Sequence, residues 1–340
     1  MKDILRRVHR RGFVSGLLGG AAGALATGAR AQTPDPVPCH LGPPPHDKGP
    51  RVWMDMDQIE IDAAYDQRFY APMGFQITKR IASLSDAVRA RLGAPLRLAY
   101  GPSEIEKLDV YRARKPNGPI FVFIHGGSWL GGTAKNHGYP AEMFVNAGAN
   151  FVVIDFIQIT QAGGDLRIMA EQVRRAIAWV YKNAASFDAD ASRLYIGGRS
   201  SGAHLTGVAL VTDWAGAFDL PPNIVKGGVC SSGMYDLKPV RISKRGSFVT
   251  FTDEMEQAMS SQRHLDRLSA PVTVTYGTNE TPEFQRQARD FAAALKAAGK
   301  AHELIEAPNY NHFEMGESFG NPYGPSGRAA LALMRLPILG

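Results

Sequence analysis

The sequence reads as an α/β chain with a mostly parallel sheet and helices on both faces, and three observations carry that reading. Continuous apolar runs at residues 120–124 and 151–154 suit strands covered on both sides, which is how parallel sheets are buried. They alternate with segments of helical periodicity, such as Met169, Val173, Ala176, Ile177 and Val180, which mark one buried helix face. A strand-like stretch at 194–196 then runs through a glycine- and serine-rich turn straight into a helical segment at 203–212, the step expected of an open α/β sheet.

The remaining elements follow in chain order. Residues 56–92 read as helical, with an amphipathic stretch at 81–90 and Ser83 or Ser85 as its N-cap. Residues 96–100 and 108–111 form an edge hairpin, because Gly101-Pro102-Ser103 separates them. Residues 225–230 and 272–276 are further buried strands, 303–306 is a short one, and 282–298 and 327–335 are helices. Residues 51–340 are therefore expected to form one domain with an N-terminal helical cover.

Ahead of that domain lie two different segments. Arg10-Arg11-Gly12-Phe13-Val14, a Gly/Ala/Leu-rich run and Ala29-Arg30-Ala31 match a twin-arginine export signal over residues 1–31, implying a periplasmic or secreted protein. Residues 32–50 are rich in proline and glycine and read as a loose linker. The leader also explains the charge. It holds six Lys/Arg and one acid, net +5, of the chain's formal +6, so about one positive charge is left for the rest. With no basic stripe, a nucleic-acid partner is not expected. At 340 residues and 44% hydrophobic content the chain can bury a large core, and no run reads as a membrane span. Cys39 and Cys230 are the two cysteines. A bridge between them and a buried free Cys230 both stay open, and neither Cys nor His shows metal-ligand spacing. Nothing implies a metal or a cofactor, and oligomeric state is not legible.

Two strings carry chemistry. Gly198-Arg199-Ser200-Ser201-Gly202 fits G-x-S-x-G, the sharp turn that lifts a nucleophilic serine above an α/β sheet. Ser201, the rival serine, lacks the flanking glycines. His125-Gly126-Gly127-Ser128-Trp129 follows the strand at 120–124 and fits a loop whose backbone N–H groups hold an oxyanion, with Gly127, Ser128 and Ser201 as donors. Trp129 either lines the substrate pocket or belongs to the core, and His125 braces the loop. The histidine of a triad must lie downstream. His204 reads as a packing residue and His264 and His302 as surface residues, whereas His312 sits in a loop after the last strand, where α/β folds place ligand-handling residues. The acid should follow the strand at 272–276, where Glu280 leads and Glu283 and Asp236 are the alternatives; a carboxylate there fixes the tautomer of the imidazole.

With Tyr100-Gly101-Pro102, Ser232-Gly233-Met234-Tyr235-Asp236-Leu237, Glu280-Thr281-Pro282-Glu283-Phe284 and Asn311-His312-Phe313, these strings make residues 60–315 resemble the kynurenine formamidase (arylformamidase) branch of the α/β-hydrolases, beside the hormone-sensitive-lipase-like esterases. The resemblance implies Ser200, Glu280 and His312 as the triad, and an eight-stranded sheet without a large inserted lid. Arg199, where such elbows usually carry histidine, and Ser128, where the branch usually has an aromatic, depart from the pattern. The expected function is a serine hydrolase of a small or aromatic carboxylic ester. An aryl formamidase or amidase with the same triad is the alternative, and a non-catalytic binding module, marked by a broken triad, is the third reading.

Overall fold

The computed structural model describes residues 42–338, so the leader, Cys39 and most of the linker lie outside the described residues. Its eight strands are β1 (Leu96–Ala99), β2 (Lys107–Tyr111), β3 (Gly118–Ile124), β4 (Asn150–Ile154), β5 (Ala189–Arg199), β6 (Val225–Ser231), β7 (Val272–Gly277) and β8 (His302–Ala307). The helices are α1 (Gln58–Ala64), α2 (Gly74–Leu92), α3 (Ala141–Asn146), α4 (Leu166–Asn183), α5 (Ser201–Leu210), α6 (Trp214–Phe218), α7 (Lys238–Ile242), α8 (Asp253–Met259), α9 (Pro282–Ala297), α10 (His312–Glu317) and α11 (Pro325–Leu333).

The strands form one sheet in the order β1-β2-β4-β3-β5-β6-β7-β8. The hairpin β1–β2 is antiparallel and β2 runs antiparallel to β4, while every pairing from β4 to β8 is parallel. Strands β3 and β4 are buried along their whole length, as their unbroken apolar runs require. Alternate side chains of β3 feed two cores. Ile120, Val122 and Ile124 join the cluster under α4, α5 and α9, whereas Phe121 and Phe123 join the one under α2, α3 and α11. The longest excursion between strands without a long helix, residues 232–271, holds α7, α8 and two short 3-10 stretches, so no large lid is inserted.

Two expectations need correction. The helical stretch at 56–92 is two helices, because a turn with Pro72 separates α1 from α2. Neither Ser83 nor Ser85 caps a helix. Both lie inside α2, whose N-cap Met73 offers no side-chain acceptor. The Ser85 hydroxyl instead reaches the Ile81 carbonyl at 2.9 Å and accepts from Tyr139 N at 3.1 Å, the back-bonding by which a serine is satisfied inside a helix. The described end of the linker, although without regular structure, is tied down: Gly42 N donates to Phe69 O at 3.2 Å and Gly49 N to Asp57 at 2.8 Å.

Phe121, fully buried, stacks on Phe144 at 4.5 Å and lies 6.4 Å from both Phe151 and Phe319. The Phe121→Ala variant is expected to lose about 3–5 kcal/mol of stability by cavity formation, read as a lowered midpoint in denaturant unfolding; a loss below about 1 kcal/mol would contradict this packing.

Candidate active site

The carboxyl ends of the central strands β3, β5, β6 and β7 converge on one place, and the turn after β5 builds its centre. Gly202, the second residue of α5, lies so close to β3 that a Cβ there would stand 2.1 Å from the Ile124 carbonyl. Only glycine lets helix and strand approach that far. The chain then makes the turn at Ser200 with φ 54° and ψ −125°, a backbone conformation that costs a non-glycine residue energy and is held by its surroundings. Here the hold is a hydrogen bond from Ser200 N to Ser231 O at 2.9 Å.

The three residues singled out as a triad meet in series. Ser200 Oγ is 2.9 Å from His312 Nε2, and His312 Nδ1 is 2.6 Å from Glu280 Oε2. All three side chains are buried. His312 is not in a loop, as its neighbours suggest, but opens α10, whose N-cap Asn311 accepts from Phe313 N and Glu314 N. Its ring lies edge-on to Phe284 at 4.6 Å. The other oxygen of Glu280, Oε1, accepts from Ser232 Oγ at 2.6 Å and from Gly277 N at 2.8 Å, the kind of donors a buried carboxylate needs. Burial pulls the His312 pKa below the ordinary histidine value, and Arg199 and Arg245 act in the same direction, while Glu280 opposes them. The imidazole is therefore neutral at pH 7, donating from Nδ1 to Glu280 and presenting Nε2 as the acceptor for the serine hydroxyl.

The two other acids are occupied elsewhere. Glu283, also buried, takes Arg286 Nε at 2.6 Å and Tyr65 OH at 3.0 Å, tying α9 to α1. Asp236 pairs with Arg263 at 2.6 Å.

The loop after β3 faces the serine. Gly127 has φ +135°, and a Cβ there would fall 2.3 Å from Gly131 O, so the loop's course depends on glycine. Ser128 and Trp129 also adopt positive φ, 60° and 63°. The N–H groups of Gly127, Ser128 and Ser201 donate to no partner among the described residues, and the loop adjoins the elbow: a Cβ on Gly126 would lie 3.2 Å from Ser200 Cβ, and Trp129 N donates to Ser201 Oγ at 3.2 Å. His125 is buried between His137 and Phe156, at centroid distances of 5.1 and 4.4 Å, a bracing position. Trp129 is packed in the core: it is 2% exposed, and its indole N–H donates to His204 Nδ1 at 3.2 Å. His204 in turn meets Met259 O at 2.9 Å, and burial pushes its pKa down to about 4. His264 and His302 are both half-buried.

Sequence reading missed Ser232, whose positive φ of 55° at the end of β6 aims its hydroxyl at Glu280. It also missed Arg245, because no local pattern marks a residue of the excursion as a neighbour of His312. A groove of about 710 Å³ lined by Arg80, Arg91, Tyr139 and Glu317 touches none of Ser200, His312 and Glu280. Among the described residues, His46, Asp57 and Glu60 lie close enough to share a cation. Their groups already serve α1, however: Asp57 and Glu60 form its capping box, and Glu60 also pairs with Lys48. Cys230 is buried with a free thiol. No helix among the described residues is long and apolar enough to cross a membrane.

Sheet order, elbow and the following histidine and acid define an α/β-hydrolase fold. Within it, the chain belongs to the BD-FAE family, whose model matches residues 108–295, more than half of its length. It is similar to kynurenine formamidase of Danio rerio, 29% identical over 284 residues, covering 77% of this chain and 92% of that one. It is also similar to esterase LipC of Mycobacterium tuberculosis, 27% identical over 239 residues, covering 64% of this chain and 59% of that one. A solved structure of a candidate thioesterase from Silicibacter sp. superposes with a TM-score of 0.69 at 22% identity, covering 81% of this chain and 99% of that one.

The balance of charges around His312 sets a sign for its pH dependence. Because Glu280 raises the His312 pKa against burial, Glu280→Gln should move the acid limb of kcat/KM to lower pH. It should also reduce kcat by about a thousand- to ten-thousand-fold through loss of the oriented tautomer. An unchanged or upward-shifted limb in the pH–rate profile would contradict the arrangement.

Proposed function

We propose that this protein is a serine hydrolase that cleaves a small or aromatic carboxylic ester through a covalent acyl-enzyme. The observation that carries the reading is the unbroken series Ser200 Oγ, His312, Glu280, with links of 2.9 and 2.6 Å, opening on three unengaged backbone donors. A binding module derived from this fold would have no need to keep the series intact.

The steps follow from the geometry. Ser200 Oγ attacks the carbonyl carbon while His312 Nε2 takes its proton, and Glu280 stabilises the imidazolium without itself becoming protonated. Charge developing on the carbonyl oxygen is met by the N–H groups of Gly127, Ser128 and Ser201, fixed before reaction and shielded from bulk water. His312 then returns the proton to the leaving group, and the C–O bond to it breaks. In the second half, water gives a proton to His312 and attacks the acyl-serine, freeing the acid and restoring Ser200. No metal is needed to generate the nucleophile, because the imidazole does so.

Replacing Ser200 with alanine should lower turnover of p-nitrophenyl acetate by a factor of about a million and abolish labelling by a fluorophosphonate. Undiminished turnover in that variant refutes the assignment.

The same machinery applied to an aryl formamide is the second reading. What supports it is that the formamidase relative is matched over 92% of its length, the esterase over 59%. The two readings part on a substrate pair: the ester reading expects kcat/KM on p-nitrophenyl acetate to exceed that on N-formyl-kynurenine, and a strong preference for the formamide reverses the order.

A further inference from the structure

We propose that the substrate of this site carries a negative charge, a carboxylate, for which the unpaired guanidiniums of Arg199 and Arg245 supply the counter-charge. The proposal rests on the serine-hydrolase reading and names the substrate class within it.

Arg199 is the second residue of the elbow, immediately before Ser200. It ends β5 beside Ser200 and runs between the oxyanion loop and the helix that begins with His312. A Cβ on Gly126 would lie 3.3 Å from its Cγ, and one on Gly316 would lie 2.3 Å from its Cδ and 3.0 Å from Nη1. Glycine at 316 thus leaves the channel that the guanidinium occupies. Arg199 is 7% exposed, and among the described residues it makes no ion pair and no hydrogen bond; its Nε is fully buried without a partner. An arginine can neither lose its proton nor accept, so it cannot be satisfied by titrating. Leaving a buried cation unpaired costs several kcal/mol, which a protein retains where a ligand completes the pair.

Arg245 lies in the excursion after β6, against the end of α1. Its Nη2 donates to Tyr65 O at 2.9 Å, but Nη1 is buried with no partner. The carboxylate that bears on it, Asp66, is paired with Arg68 at 2.5 Å. Both guanidiniums act on the same imidazole, lowering its pKa.

No protein acid is free to neutralise them. Glu280 is held by His312, Ser232 and Gly277 N, Glu283 by Arg286 and Tyr65, and Asp155 by Arg97 and Ala134 N. Among the described residues neither guanidinium has a carboxylate within ion-pair distance, so each is a buried cation whose direct counter-ion the protein does not supply. A neutral ester makes no use of that charge, whereas an anionic one is attracted to the mouth and held inside.

The test compares ester pairs that differ in charge. On the acyl side these are mono-p-nitrophenyl adipate and p-nitrophenyl hexanoate; on the leaving-group side, 4-acetoxybenzoate and its methyl ester. The wild-type protein should prefer the anion in at least one pair by tenfold or more in kcat/KM. Arg199→Met or Arg245→Met should reduce that preference at least fivefold, and Arg199→Lys, which keeps the charge, should retain more of it than Arg199→Met. Equal or lower kcat/KM for the anion in both pairs overturns the proposal, using the wild-type protein alone. So does a preference that survives both methionine variants with fluorophosphonate labelling of Ser200 intact. Failure of the wild type to hydrolyse any ester or to label at Ser200 would sink the hydrolase reading itself, a different result.

Discussion

Everything at the site depends on how closely α5 approaches β3. With a Cβ at position 202 standing only 2.1 Å from Ile124 O, the chain cannot leave β5 by an ordinary turn. It must pass through the strained conformation at Ser200. That strain does structural work for chemistry: the hydroxyl is raised off the sheet, and the first N–H groups of α5 are left open beside it. The loop after β3 meets the same place from the other side, again through positive φ angles at Gly127, Ser128 and Trp129. Packing against the sheet over-determines both, which is why neither relaxes.

The electrostatics are organised by what each buried charge is given. Two glutamates three residues apart, Glu280 and Glu283, are equally buried and differ only in partners. Glu283 is neutralised by a guanidinium and locks the N-terminal helices against α9. Glu280 instead receives two neutral donors and an imidazole. The arginines reverse this pattern. Arg80, Arg91 and Arg97 have acid partners, and the buried Arg199 and Arg245 do not. A buried guanidinium beside the Ser200 turn with no acid partner marks where a ligand would supply one.

Function was legible wherever chemistry fixes a local pattern. The elbow, the glycine pair after β3 and the alternation of long apolar runs with helical periodicity are short-range signals. The parallel sheet and the candidates Ser200, Glu280 and His312 could be read from them. Short helices could not be. The elements α3, α6, α7, α8 and α10 have five to seven residues, too few turns to display a period. The placing of Ser83 or Ser85 as a cap failed because a serine inside a helix can bond its own backbone, and only the turn at Pro72 shows where α2 begins.

The chain's own residue order therefore determined the fold class, the candidate nucleophile and the chain order of its candidate partners, because these follow from local sterics and from topology. Tertiary structure alone decided which glutamate reaches the imidazole, that Trp129 turns into the core toward His204, and that Ser232 steadies Glu280. It also decided that Arg199 and Arg245, nearly fifty positions apart, are buried without an acid partner. Those are pairings between distant segments, and no spacing along the chain encodes which desolvated groups will meet.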